Sequence, residues 1–183
     1  MQDEQNLAQR AKQGDKEAFA QLYEGHFDRI YRYLVLRVWN KAEAEDMTQQ
    51  VFVRAFESIP SFRWKGVPFS AWLYRIAHNL VVDHIRKQKR RPTVPFEESL
   101  AVSDSDPRQE VERRLDIVQL ISATGRLTEA QREVISLRFA GGLSVAEAAR
   151  VMGKSEGAVK ALQHSAIVTL RKVLLVGEDR EKA

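Results

Sequence analysis

Between Phe19 and Val38 the apolar residues Phe19, Leu22, Tyr23, Phe27, Ile30, Leu34 and Val38 recur at steps of three and four. An α-helix, with about 3.6 residues per turn, gathers such positions on one face, and a strand scatters them. The segment therefore reads as an amphipathic helix that must bury one side, with Asp15 as its N-cap. A second helix runs from about Ala42 to Ser58, with Met47, Val51, Phe52, Ala55 and Ile59 on one side and Pro60 to end it. A third starts near Ser70, buries Trp72, Leu73, Ile76, Ala77, Leu80 and His84, and stops before Pro92. No strand pattern interrupts them, so the first half predicts a small three-helix bundle and the chain an all-α fold.

Charge divides the chain. Residues 1–91 carry 16 Lys+Arg against 11 Asp+Glu, residues 92–110 carry one against five, and residues 111–183 carry 12 against nine. The middle stretch, PTVPFEESLAVSDSDPRQE, has three prolines, three serines and no helical period, and reads as an acidic flexible linker. The expected organisation is two small helical domains, 1–91 and 111–183, tethered by residues 92–110. No apolar run reaches the roughly 20 residues of a membrane span, and the polar start MQDEQNLAQR lacks a signal-peptide core, so no membrane insertion and a cytoplasmic location are expected. The absence of cysteine removes disulfides, thiolate metal sites and cysteine nucleophiles. The histidines His26, His78, His84 and His164 lack the spacing of a metal site and read as packed or solvated side chains, with no cofactor expected. The tail VGEDREKA reads as a frayed end.

The second half is punctuated by two capping boxes, Thr128-x-x-Gln131 and Ser144-x-x-Glu147, each opening a helix, with Gly141 and Gly142 between them. The helix from Val145 closes at Gly153, and Ser155 can cap a longer helix after a short turn, which is the sequence shape of a helix-turn-helix. On that last helix Ala158, Val159, Leu162, Ala166, Leu170 and Val173 share an inner face. Glu156, Lys160, Gln163, His164, Ile167 and Arg171 face the other way, where they could enter a DNA major groove.

In the first half, the third helix carries Arg75, Asn79, Arg86 and Arg90 within about 60° of one another, opposite its core face. Arg86, Lys87, Lys89, Arg90 and Arg91 concentrate charge at its end. The preceding loop, SFRWKGVPFSAW, interleaves Phe62, Trp64, Phe69 and Trp72 with Arg63 and Lys65, a pattern suited to stacking and neutralising single-stranded nucleic acid. Packing of those rings between helices is the competing reading, above all for Trp72.

The ordered set AEDMTQQVFVRAF, FSAWLYRIAHNLVVDHIRKQKRR, a linker and LTEAQREVISLRFAGGLSVAEAARVMGKSEGAVKAL resembles bacterial sigma factors, specifically the extracytoplasmic-function class of the sigma-70 family, over about residues 15 to 175. The resemblance implies a promoter-specificity subunit of RNA polymerase that keeps only sigma regions two and four; no third domain fits this length. It implies that Asp46, Gln49, Gln50, Phe52 and Arg54 meet the polymerase core, with Gln50 standing where relatives commonly carry Glu. It assigns the minus-ten element, read as duplex and as melted non-template strand, to Phe62, Arg63, Trp64, Lys65 and Asn79, with Arg86, Lys87, Lys89, Arg90 and Arg91 on adjacent phosphates. It assigns the minus-thirty-five element to Ser155, Glu156, Gly157, Lys160, Gln163, His164 and Arg171. Leu162, Ser165 and Ile167 replace arginines common in relatives, which predicts weaker phosphate anchoring. An anti-sigma protein is the implied regulator, and the chain is expected to be a monomer, free or on polymerase. The linker, at roughly 3.3 Å per residue, reaches about 60 Å, nearly two turns of DNA at about 34 Å each.

Two other classes compete. A stand-alone helix-turn-helix repressor would explain the second half, but it should dimerise on a palindrome and has no use for the aromatic-basic loop. A nucleic-acid-processing enzyme needs a carboxylate cluster, a phosphate-binding glycine loop or a nucleophile with its base, and the motifs for these are missing; GGLS and GKSEG sit at helix ends without P-loop spacing.

Overall fold

The computed structural model describes residues 2–63, 68–88 and 123–181, and these are helices, turns and short connections without a strand. Trp64, Lys65, Lys89, Arg90, Arg91 and the whole of 92–110 lie outside the described residues. The first group of helices is α1 (Gln2–Lys12), α2 (Lys16–Val38), α3 (Lys41–Ser58) and α4 (Phe69–Gln88), with a 3-10 turn at Ile59–Ser61. The second is α5 (Glu129–Ile135), a π-helical turn at Ser136–Ala140, α6 (Val145–Met152) and α7 (Glu156–Glu181).

The local signals act as the spacing predicts. The Asp15 carboxylate accepts the Ala18 N–H at 3.0 Å and opens α2. Asn40 caps α3 in the same way through Glu43. Both capping boxes close reciprocally, Thr128 with Gln131 and Ser144 with Glu147. Gly153 ends α6 in the left-handed conformation at φ 62°, where a side chain would be strained.

One helix escapes the periodicity. In α1 the buried positions are alanines, Ala8 and Ala11, beside a partly buried Leu7, so its apolar stripe is too faint to stand out. It packs on α2, with His26 Nε2 lying 2.9 Å from the Glu4 carboxylate and Lys12 Nζ donating to the Phe62 carbonyl at 2.9 Å. Among the described residues the bundle therefore has four helices where three were expected. On α4, Leu73, Ala77 and Leu80 are buried as expected, but Trp72, Ile76 and His84 stay half-buried.

The two groups are packed together. Helix α6 lies on α4, while α5 and the π turn lie on α2. Buried side chains from both halves form one continuous apolar cluster, from Ile30, Leu34 and Tyr74 to Val134, Leu137 and Leu143. At its centre Glu133 of α5 is buried among groups from the other half. Tyr33 Oη donates to Glu133 Oε1 at 2.8 Å, His78 Nδ1 lies 3.0 Å from the same oxygen, and Arg37 Nε lies 2.8 Å from Oε2 in an ion pair. Arg37 also reaches the Glu129 carboxylate at 3.3 Å. A second seam contact places the Arg132 guanidinium 4.0 Å from the centroid of the Trp39 ring. Trp39 caps α2 at φ 57°, an uncommon conformation for a bulky residue. Tyr74 Oη donates to the Gly141 carbonyl at 3.2 Å, and a Cβ on Gly141 would come within 2.9 Å of the Tyr74 ring. Only glycine permits that approach.

Because Arg37 compensates a buried carboxylate, Arg37→Ala leaves Glu133 short of its cation and should weaken docking of the two halves by about 3–5 kcal/mol. Hydrogen exchange checks this: amides of α5 and of the C-terminal half of α2 should lose protection, and unchanged protection would show that the ion pair does not hold the seam.

Candidate nucleic-acid and polymerase interfaces

Helix α3 presents its outer face beside the Asn40 cap. Asp46, Gln49, Gln50 and Arg54 are exposed there, as expected. Phe52 is not: its ring is buried, 4.7 Å from the Tyr23 centroid and 6.2 Å from that of Phe27. At about 100° per residue it points well away from Asp46 and inward. Phe52 thus supports the face from beneath. The apolar residues actually presented are Val53 and Phe56, 55% and 48% exposed, with Val53 in the middle of the polar stripe. An apolar residue at an outward helical position was the available signal for them. An exposed valine ringed by amides, a carboxylate and a guanidinium suits a partner surface with a dry centre and polar rim.

Helix α4 and the turn before it form the second surface. Arg75, Asn79, Arg86 and Lys87 are exposed on α4, and Arg63 is exposed after the 3-10 turn. Arg86 pairs with Asp83 at 2.9 Å, but both side chains are half-solvated or more, so the pair is weak and Arg86 can be redirected. Phe62 departs from the expectation that it faces a base. After Pro60 the 3-10 turn reverses the chain, the Phe62 N–H donates to the Ile59 carbonyl, and the ring is buried 5.7 Å from the Phe69 centroid and 4.9 Å from that of Trp72. The three rings pack together beneath exposed Arg63. Packing is also the answer for Phe69, which is fully buried, and for half-buried Trp72.

The third surface is the start of α7. Ser155 Oγ accepts the Ala158 N–H at 3.2 Å, so the expected cap forms. Ser155, Glu156, Gly157, Lys160, His164 and Arg171 are all exposed. Gln163 is half-buried, and its carbonyl accepts from Arg138 Nε at 3.0 Å while Arg138 also donates to the Leu143 carbonyl. Its side chain is thereby committed to the turn between α5 and α6. Two face assignments change: Ala158 is exposed, while Ile167 is half-buried against the core. The inner face is wider on the Ile167 side because α5 packs along α7, with Gln131 Nε2 donating to Ser165 Oγ at 2.8 Å.

Beside these surfaces lies the charged seam. The Glu133 carboxyl is held below the ordinary carboxylate range: burial pushes it up, but the His78 hydrogen bond, the Arg37 charge and the Tyr33 hydroxyl together outweigh burial. Tyr33 is raised well above its usual value, first by burial and then by the adjacent Glu133 charge. Glu133 is therefore the anion and Tyr33 the donor at neutral pH. Sequence reasoning missed this group because Glu133 lies 55 to 100 residues from the groups that face it.

Comparison with known proteins matches this arrangement. Residues 22–91 fit the family model of sigma-70 region 2, and residues 124–172 that of sigma-70, region 4. The ECF RNA polymerase sigma factor BldN of Streptomyces coelicolor is 44% identical over 170 residues, 92% of this chain and 64% of that relative, so the chain spans just under two thirds of its length. The ECF RNA polymerase sigma factor SigW of Bacillus subtilis is 33% identical over 175 residues, 89% of this chain and 92% of the relative. Among solved structures, CnrH in complex with the cytosolic domain of CnrY has a TM-score of 0.75 and 28% identity, covering 95% of this chain and 98% of that one. With both region models matched in order and relatives of one class aligned along most of its length, the chain belongs to the extracytoplasmic-function class of the sigma-70 family.

Proposed function

We propose that the protein binds core RNA polymerase and directs promoter recognition, DNA melting and the start of transcription. The observation that supports this reading is that one chain presents a helix with an exposed polar stripe around Val53, a helix with exposed Arg75, Asn79, Arg86 and Lys87, and an exposed helix-turn-helix, in the order of sigma regions two and four.

Each surface has a distinct task. On α3, Asp46, Gln49, Gln50 and Arg54 form a polar rim around Val53, and core polymerase covers it. On α4, exposed Asn79 can donate and accept at a base edge. Arg63, Trp64 and Lys65 join Asn79 at the base, and Arg86, Lys87, Lys89, Arg90 and Arg91 neutralise the adjacent phosphates. Phe62, buried against Phe69 and Trp72, supports this surface from beneath rather than touching DNA. Unstacking a base costs a few kcal/mol, and a pocket that receives the flipped base offsets this without ATP hydrolysis. On α7, the N-terminal residues Ser155, Glu156, Gly157 and Lys160 enter the major groove, His164 follows one turn later, and Arg171 reaches a phosphate. Residues 92–110 connect the two reading units. An anti-sigma factor is the regulator this reading implies. The repressor reading leaves the α3 face and the α4 stripe without a purpose.

The direct test is transcription by bacterial core polymerase on a pool of genomic fragments, with and without the protein. Defined start sites should appear only with it; their absence, with active core confirmed, would overturn the reading. Asn79→Ala should lower promoter opening, followed by permanganate reactivity, about tenfold for a contact of about 1.4 kcal/mol, with core binding unchanged. Lys160→Ala and Arg171→Ala should each flatten the dependence of log affinity on log salt by about 0.9. An unchanged slope would remove α7 from the phosphate backbone.

A further inference from the structure

One cleft between α2 and the π turn serves none of the three interfaces. It encloses about 330 Å³ and is lined by Arg29 and Arg32 of α2 and by Phe139, Ala140, Gly141 and Gly142. Both arginines are exposed, and neither has a hydrogen bond or ion pair among the described residues. Three positions apart, they are neighbours on one helix face. Among the described residues no carboxylate lines the cleft. Arg29 also lines a neighbouring cleft with Glu4, whose carboxylate is taken up by His26 Nε2 at 2.9 Å. The two cations act on the inner wall: their charges oppose the effect of burial on the Tyr74 hydroxyl, which donates to the Gly141 carbonyl. Across from them Phe139 is 62% exposed on a π-helical turn, a distortion frequent at functional sites. Beside that ring Gly142 has φ 70° and open space where a Cβ would stand, so bare backbone there permits close approach of a ligand.

We propose that this cleft is a binding site for a free purine nucleoside diphosphate, with the base stacked on Phe139 and the phosphates held by Arg29 and Arg32. Two uncompensated guanidiniums call for a ligand with at least two negative charges, and their planar forks match phosphate oxygens in pairs. A single carboxylate would leave one of them unmatched. The exposed ring of Phe139 offers a π-face on which a base can stack, and a purine covers more of it than a pyrimidine. Size separates a free nucleotide from a longer partner. Small-molecule sites run from about 300 to 1,000 Å³, and this one, at about 330 Å³, stands at the small end. One ring with two cations complements one base and its phosphates; a single strand is held by successive stacking platforms along a groove. The arginines belong to the first group of helices and the ring to the second, so a bound nucleotide touches both and favours their packing by mass action. The inference does not rest on the sigma-factor reading, because the cleft shares no residue with the α3, α4 and α7 surfaces and binding is a property of the protein alone.

The test is calorimetric titration of the full chain with ADP and with GDP, alongside inorganic pyrophosphate. One saturable site per chain is expected, and no saturable binding of either nucleotide up to about 1 mM would overturn the proposal. Arg29→Ala and Arg32→Ala each remove a charge-assisted contact and should weaken nucleotide binding about tenfold or more. Phe139→Leu keeps an apolar side chain but removes the aromatic face. It should weaken the nucleotide about tenfold and leave pyrophosphate unchanged. All three side chains are exposed, so the variants should fold, and their melting curves check this. Unchanged affinity in both arginine variants, or a Phe139→Leu protein that loses pyrophosphate as strongly as nucleotide, would place the ligand elsewhere and sink the assignment. A short single-stranded oligonucleotide carries the same chemistry in polymeric form. It should fail to displace bound ADP; displacement that is lost in Arg32→Ala would make a strand the occupant and overturn the free nucleotide.

Discussion

A buried carboxylate cannot be left alone, and the arrangement of this chain follows from where Glu133 finds its partners. One oxygen takes the Tyr33 hydroxyl and faces His78, the other meets Arg37, and these come from α2 and α4. Desolvation of an isolated carboxylate would cost several kcal/mol, so α5 docks in the register that brings those groups together. The apolar cluster around it supplies attraction without direction. The charged group supplies the direction.

That constraint reaches outward through the helices. Once α5 is fixed on α2, the π turn after it sends Leu137 inward and Phe139 outward and brings Gly141 against Tyr74. Helix α6 then falls on α4, and α7 packs on α5 with Gln131 bridging to Ser165. The exposed residues of α7 are what remain after its inner face is spent on this packing. The same logic operates in the first half, where the rings of Phe62, Phe69 and Trp72 lock together and leave Arg63 exposed beside them. In both halves the candidate surface is a helix edge held by aromatic or charged contacts beneath it.

Legibility in the sequence followed the range of the interaction. Asp15, Thr128, Ser144, Gly153 and Ser155 act within three or four residues of themselves, and each of their caps forms as the spacing predicts. Helix faces were read nearly as well, because an apolar stripe needs only the helical period. Errors arose where a residue near the boundary of a stripe could turn either way: Phe62 turned inward, Ala158 outward and Ile167 partly inward. Helix α1 was invisible because alanines bury without announcing themselves.

The sequence by itself determined the helices, their caps, the helix-turn-helix and the ordered motifs that place the chain in its family, since these depend on neighbours a few residues apart. Only the tertiary structure decided that the halves meet, that Gln163 is committed to Arg138, and that Glu133, Tyr33, His78 and Arg37 form one group. Those choices depend on desolvation and on contacts between residues up to 100 apart. Their free energy is set by the assembled surroundings, and local spacing carries no trace of it.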